Sequence, residues 1–130
     1  MSESPDKIKL LYLDDEDVNL FIFEELFKSR FDVTTTSSAE SALQILIDKT
    51  KGIQLVIRDL KMHPVSGMTF IMRAKDKGIR IPICVLSAFP KTPEIENAMS
   101  SGLVSGFFNK PLDFELIQQE TERLLAQHKS

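Results

Sequence analysis

Cysteine is nearly absent from this chain of 130 residues: Cys84 is the only one, and it sits inside an apolar run. It can form no internal disulfide, and an apolar setting makes a thiol harder to ionise, so it reads as inert core. Long hydrophobic stretches are also missing, none approaching the ~20 residues of a membrane span. The start, Met1 to Lys7, is a polar tail without the apolar segment of a signal peptide. The cytosol is the expected compartment, with no membrane contact. Excess positive charge is lacking too. Net charge is −3 with Lys and Arg scattered, so direct nucleic-acid binding is not expected. No internal repeat, linker or low-complexity tract interrupts the chain, and no effector domain is expected beyond its last helix. What is present is a 42% apolar fraction, enough for one globular domain spanning residues 1–130.

Strand and helix signals alternate five times. Ile8 to Leu13 is an apolar run ending in acids, followed by a helical stretch from Val18 to Phe27. Asp32 to Thr36 is short and β-branched. Ser37, with Glu40 three residues on, forms a capping-box pattern opening a helix to about Asp48, with Ala42, Leu43, Leu46 and Ile47 along one face. Ile53 to Arg58 reads as a strand, residues 59–66 as a loop, and Gly67 to Asp76 as a helix. Ile81 to Ser87 is a strand, Pro93 opens a helix ending before Gly102, and Val104 to Asn109 is the fifth strand. A final helix runs from Leu112 to about Gln127, with Phe114, Ile117, Thr121 and Leu124 spaced by threes and fours. Such alternation predicts an α/β fold, a parallel sheet with helices on both faces.

Polar residues follow or end four of the apolar runs: Asp14 with Asp15, then Asp59, Ser87 and Lys110. In an open α/β sheet the carboxyl ends of the strands form the edge where ligands bind. Each residue has a plainer reading alone. The acids from Asp14 to Asp17 complement the positive end of the following helix. Asp59 is a turn former, Ser87 merely ends a strand, and Lys110 is a surface lysine. Together they suggest more. Two carboxylates at ~5 Å repel by about 3 kcal/mol at an effective dielectric of about 20. A hard divalent cation offsets that, and Mg²⁺ takes oxygen ligands. A carboxylate can also act as a nucleophile toward phosphorus, with an ammonium and a hydroxyl as donors to the phosphoryl oxygens.

These residues stand in Tyr12-Leu13-Asp14-Asp15-Glu16, in Leu55-Val56-Ile57-Arg58-Asp59 followed by Met62 and Gly67, in Leu86-Ser87-Ala88 and in Phe107-Phe108-Asn109-Lys110-Pro111. Along essentially its whole length the chain resembles a receiver domain of the two-component response-regulator family. The resemblance implies a flavodoxin-like, doubly wound sheet of five parallel strands, order 2-1-3-4-5, with five helices. It implies Asp59 as phospho-acceptor, and Mg²⁺ (or Mn²⁺) held by Asp14, Asp15, Asp59 and the Lys61 carbonyl. It implies that Ser87 and Lys110 contact the phosphoryl group, and that Lys110-Pro111 is a cis peptide. Lys61 and Phe89 occupy positions that in this family influence phosphoryl lifetime. One departure stands out: His63 holds the place usually taken by proline, and Pro64 follows. His63 is either an exposed loop histidine or a residue that tunes hydrolysis.

The resemblance also implies a switch. Ser87 moves toward the phosphoryl group, Phe107 turns inward, and the surface of the fourth helix, fifth strand and last helix changes shape around Ile95, Ala98, Met99 and Phe107. Static core is the competing reading of Phe107. The donor partner that the resemblance implies is a histidine kinase or a histidine-phosphotransfer protein. The output partner stays open, as does the choice between a monomer and a phosphorylation-dependent homodimer. Leu20, Phe21, Ile22 and Phe23 are consecutive on the first helix, so at least one must face outward. It is either a lone exposed residue or part of a docking face. Such a domain turns over no external metabolite and is not classed as an enzyme. The alternatives are a receiver excised from a hybrid kinase or longer regulator, a phosphorylation-silent interaction module, and a flavin carrier, whose phosphate would be repelled by Asp14 to Asp17.

Overall fold

Two short strands that no side chain could hold alone begin the sheet. β1 (Ile8–Leu13) is paired on both edges, with β2 (Phe31–Thr36) and with β3 (Leu55–Leu60), and Leu10 to Leu13 are buried. The computed structural model describes residues 7–60 and 64–128. β3 pairs onward with β4 (Ile83–Ser87), and β4 with β5 (Gly106–Asn109), all parallel, giving the order β2-β1-β3-β4-β5. Helices α1 (Asp17–Phe27), α2 (Ala39–Ile47), α3 (Pro64–Asp76), α4 (Pro93–Ser100) and α5 (Phe114–His128) make the connections. The expected doubly wound α/β class and strand order are therefore the observed ones.

Side-chain alternation sorts the core into two layers. Leu11, Leu13, Val56, Leu60, Ile83 and Val85 face α2, α3 and α4. Leu10, Tyr12, Leu55, Ile57, Cys84 and Leu86 face α1 and α5, through Phe23, Phe27, Ile117 and Leu124. With both faces covered, β1, β3 and β4 are near-continuous apolar runs. Among the described residues no helix is long and apolar enough to cross a membrane.

Several boundaries differ from expectation. The cap of α2 is Ser38, whose side chain accepts from the Ser41 N–H, and Glu40 bonds Arg73 at 2.9 Å. Ile47 is exposed, and Ile45 packs in its place. β3 runs on to Leu60, because Asp59 and Leu60 find partners in Leu86 and Ser87. β4 begins only at Ile83, and α3 starts at Pro64, where a fixed φ suits a first turn. β5 begins at Gly106 and α5 at Phe114. α4 is capped by Thr92, whose hydroxyl accepts from the Ile95 N–H, with Pro93 in its first turn. It is followed by Gly102 at φ 86°, a left-handed conformation that costs glycine little.

Candidate functional site

Asp14 lies one residue past β1, yet its backbone is still held, since its N–H donates to the Thr36 carbonyl at 3.2 Å. Lys110 is anchored likewise past β5, its N–H donating to the Ser87 carbonyl at 2.8 Å. Asp59 is inside β3 rather than after it, the register placing it beside Leu86. The strand period turns Asp14, Asp59 and Lys110 toward the α1/α5 layer, as continuations of Tyr12, Ile57 and Phe108.

The three side chains meet. Lys110 Nζ donates to Asp59 Oδ2 at 2.7 Å. Asp59 and Asp14 are buried and within hydrogen-bonding reach of one another. Burial pushes the Asp59 carboxyl above its ordinary range, Asp14 adds to the rise, and Lys110 opposes it. Two carboxyls in one buried space and one cation that offsets them only in part form a pocket that suits a further positive charge.

Asp15, the next residue after Asp14, is exposed and lies in the bend beyond β1. Arg58, the residue before Asp59, carries its guanidinium 5.7 Å from the Phe70 ring centre. Burial lowers the tendency of Arg58 to hold its proton, and Asp15 is the foremost carboxylate opposing that. Among the described residues no three acidic, histidine or cysteine side chains are arranged to hold a metal. Of the expected ligands, Asp14 and Asp59 converge, and Asp15 follows Asp14 in sequence. The oxygen donors of that pair fit a hard cation such as Mg²⁺. Lys61, Met62 and His63 lie outside the described residues.

Ser87 closes β4 and is buried. Its Oγ accepts the Phe89 N–H at 2.9 Å, and its carbonyl accepts from Asn109 Nδ2 at 3.2 Å. Phe107 is half-buried, pairs with Val85 across the ladder, and carries Lys91 Nζ 5.8 Å from its ring centre. Ile95 and Ala98, assigned above to a changing surface, are core residues, while Met99 is partly buried. The Lys110-Pro111 peptide is cis.

One site residue escaped the reading of the sequence. Tyr12 Oη donates to Asp14 Oδ2 at 2.9 Å and also lies within reach of Asp59. Burial, and then Asp14, push its hydroxyl far above the ordinary tyrosine range, so it remains a donor. Within an apolar strand it reads as core, and the only sequence signal was its spacing of two from Asp14. Beside it, a cleft of about 180 Å³ lined by Tyr12, Asn19, Ile22, Leu86 and Lys110–Leu112 joins the start of α1 to the Lys110 side of the pocket.

This geometry belongs with a family match. Residues 10–122 fit the model of the response regulator receiver domain, and the chain belongs to that family, acting in two-component signalling. Among curated proteins it is 30% identical over 118 residues to the response regulator SaeR of Staphylococcus epidermidis, covering 90% of this chain and 50% of that one. It is 28% identical over 121 residues to the transcriptional regulatory protein ZraR of Salmonella typhimurium, covering 92% of this chain and 27% of that one. The chain therefore spans half or less of the length of these relatives. Among solved structures, a response regulator receiver domain protein from Clostridium thermocellum superposes with a TM-score of 0.81 at 24% identity, covering 94% of this chain and 97% of that one.

Proposed function

We propose that this domain accepts a phosphoryl group on Asp59 from the phosphohistidine of a histidine kinase or histidine-phosphotransfer protein. The observation that carries the reading is the buried meeting of Asp14, Asp59 and Lys110, with Lys110 Nζ 2.7 Å from the acceptor carboxylate. A carboxylate oxygen of Asp59 bonds to phosphorus as the donor's N–P bond breaks, and the departing imidazole takes up a proton. Lys110 stabilises charge on the phosphoryl oxygens. Asp14 and Asp59, with Asp15 and the Lys61 carbonyl, would hold Mg²⁺, or Mn²⁺ in its place, which supplies charge neutralisation at the phosphoryl oxygens. Attack by water on the aspartyl phosphate releases phosphate and restores Asp59. The domain catalyses only its own modification and acts on no external metabolite. A cytoplasmic site of action accompanies that role.

The donor docks over α1. Phe21 is 65% exposed, and Val18, Ile22 and Leu26 are exposed around it, where the sequence required at least one outward residue among Leu20 to Phe23. The cleft beginning at Ile22 leads from that face to Lys110. The signal leaves by another route. A phosphoryl group adds about −1.5 to −2 charge, and Ser87 turns to donate to it, giving up its present contact with Phe89. Phe107, on the same side of the sheet, then moves inward and reshapes the α4-β5-α5 surface. Inverting a two-state ratio of roughly 1:99 takes about 5.5 kcal/mol, which two or three charge-assisted bonds of ~1.5–3 kcal/mol supply. Incubation with acetyl phosphate and Mg²⁺, followed by intact-mass measurement, tests the reading. Wild type gains one phosphoryl group and Asp59→Asn gains none. A wild type that stays unmodified overturns it.

A further inference from the structure

Tyr12 is the chain's single tyrosine, and there is no tryptophan. Its ring is fixed from below, stacked on Phe23 at 3.9 Å and 5° between planes, with Phe23 in turn stacked on Phe27 at 4.3 Å. Its hydroxyl is fixed from above, donating to Asp14 Oδ2 at 2.9 Å. The other Asp14 oxygen, Oδ1, accepts the Glu16 N–H at 3.0 Å. Each oxygen of the carboxylate thus takes a donor from a different rigid element, β1 on one side and the entry to α1 on the other. Phenylalanine would fill the same stack without burying a hydroxyl, so packing alone does not call for tyrosine.

We propose that Tyr12 is a positioning residue for the divalent-cation pocket, holding Asp14 turned toward Asp59 before any cation arrives. It acts through Asp14, and it rests on the reading of Asp14 and Asp59 as cation ligands. Hydrogen-bond partners of ligating carboxylates fix their orientation, and their loss typically costs about 10–100-fold in metal affinity.

Calorimetric titration with Mg²⁺ alone, on wild type, Tyr12→Phe and Phe23→Leu, tests it. Tyr12→Phe is expected to bind about tenfold more weakly than wild type. Phe23→Leu loosens the same stack but keeps the Tyr12 hydroxyl, so it melts earlier and weakens binding less than Tyr12→Phe does. A wild type that takes up no Mg²⁺ overturns the cation reading and this inference with it. A wild type that binds, with Tyr12→Phe equal or tighter, overturns the inference alone, as does an equal weakening in Phe23→Leu. Should Tyr12→Phe fail to fold, wild-type tyrosine emission decides. A cation that draws on Asp14 must change the emission of its hydroxyl partner with the calorimetric midpoint, and flat emission overturns the proposal.

Discussion

Asp59→Asn is expected to make the cation-free protein more stable at neutral pH, although it removes one partner of a 2.7 Å ion pair. The Asp59 side chain is fully buried, whereas that of Lys110 remains 30% exposed. Ionised Asp59 therefore bears a desolvation cost and the repulsion of Asp14, the latter about 3 kcal/mol at ~5 Å and an effective dielectric near 20. Lys110 returns part of this, but water screens a half-open ammonium and rehydrates it when its partner loses charge. Asparagine keeps the shape and an oxygen acceptor for Lys110. The balance favours the variant by about 1–2 kcal/mol, a few degrees of melting temperature per kcal/mol in a chain this long.

The sign of the pH dependence follows from the direction of the Asp59 shift. Its carboxyl in the folded protein is raised above the ordinary value of 3.8, so the folded state holds that proton more tightly than the unfolded one. The wild type has its full stability from this group below 3.8 and loses it as pH rises through the raised folded value. The gap between variant and wild type should be near zero in acid, open above 3.8 and then level off. Thermal and urea unfolding followed by circular dichroism in EDTA measures it. Added Mg²⁺ should narrow the gap, since a ligand of the folded state stabilises wild type. A variant no more stable than wild type at neutral pH, or a gap that ignores pH, would refute the burial argument.

Three other outcomes are expected. Cys84 is wholly buried and its thiol is pushed up to about 12, chiefly by burial, so thiol reagents at pH near 8 should label it only as fast as the protein unfolds; rapid labelling of the native protein contradicts this. Gly106→Ala would set a Cβ 3.0 Å from Cys84 Sγ and 3.6 Å from Leu124 Cδ1, costing about 1–3 kcal/mol by overpacking, and Cys84→Ala in the same chain should restore part of the loss in urea melts. Phe21→Ser should slow phosphotransfer from the protein donor while leaving acetyl phosphate modification unchanged, and equal slowing of both would remove α1 as the docking face.

The elements were legible because buried parallel strands need apolar runs, and those of β1, β3 and β4 are hard to mistake. Their ends were less so. β3 reaches Leu60 because β4 offers ladder partners to Asp59 and Leu60, a tertiary fact that propensity does not carry. Two adjacent serines could cap α2, and the choice of Ser38 is made by which hydroxyl reaches the Ser41 N–H. The meeting of Asp59 with Lys110 was anticipated from the joint spacing of strand-end residues. The Tyr12 hydroxyl was not, because an aromatic in an apolar strand satisfies the core pattern and hides its polar end.

The strand period has a consequence for how a modification could become a signal. Asp14, Asp59 and Lys110 continue the residues facing α1 and α5, while Ser87 and Phe107 continue those facing α2, α3 and α4. Chemistry proposed for Asp59 thus takes place on one side of the sheet edge and its proposed readout on the other. The proposed donor face on α1 can be occupied without covering Phe107, so proposed loading and output need not compete for the same surface. The link between the two sides is the end of β4. Ser87 pairs with Leu60 in the ladder next to the acceptor, and its carbonyl takes the backbone N–H of Lys110 and the side chain of Asn109 from β5. A phosphoryl group drawing Ser87 across the edge must therefore pull on the strand that carries Phe107, and a rigid ladder passes that pull to the α4 side without requiring the buried Ile95 and Ala98 to leave the core.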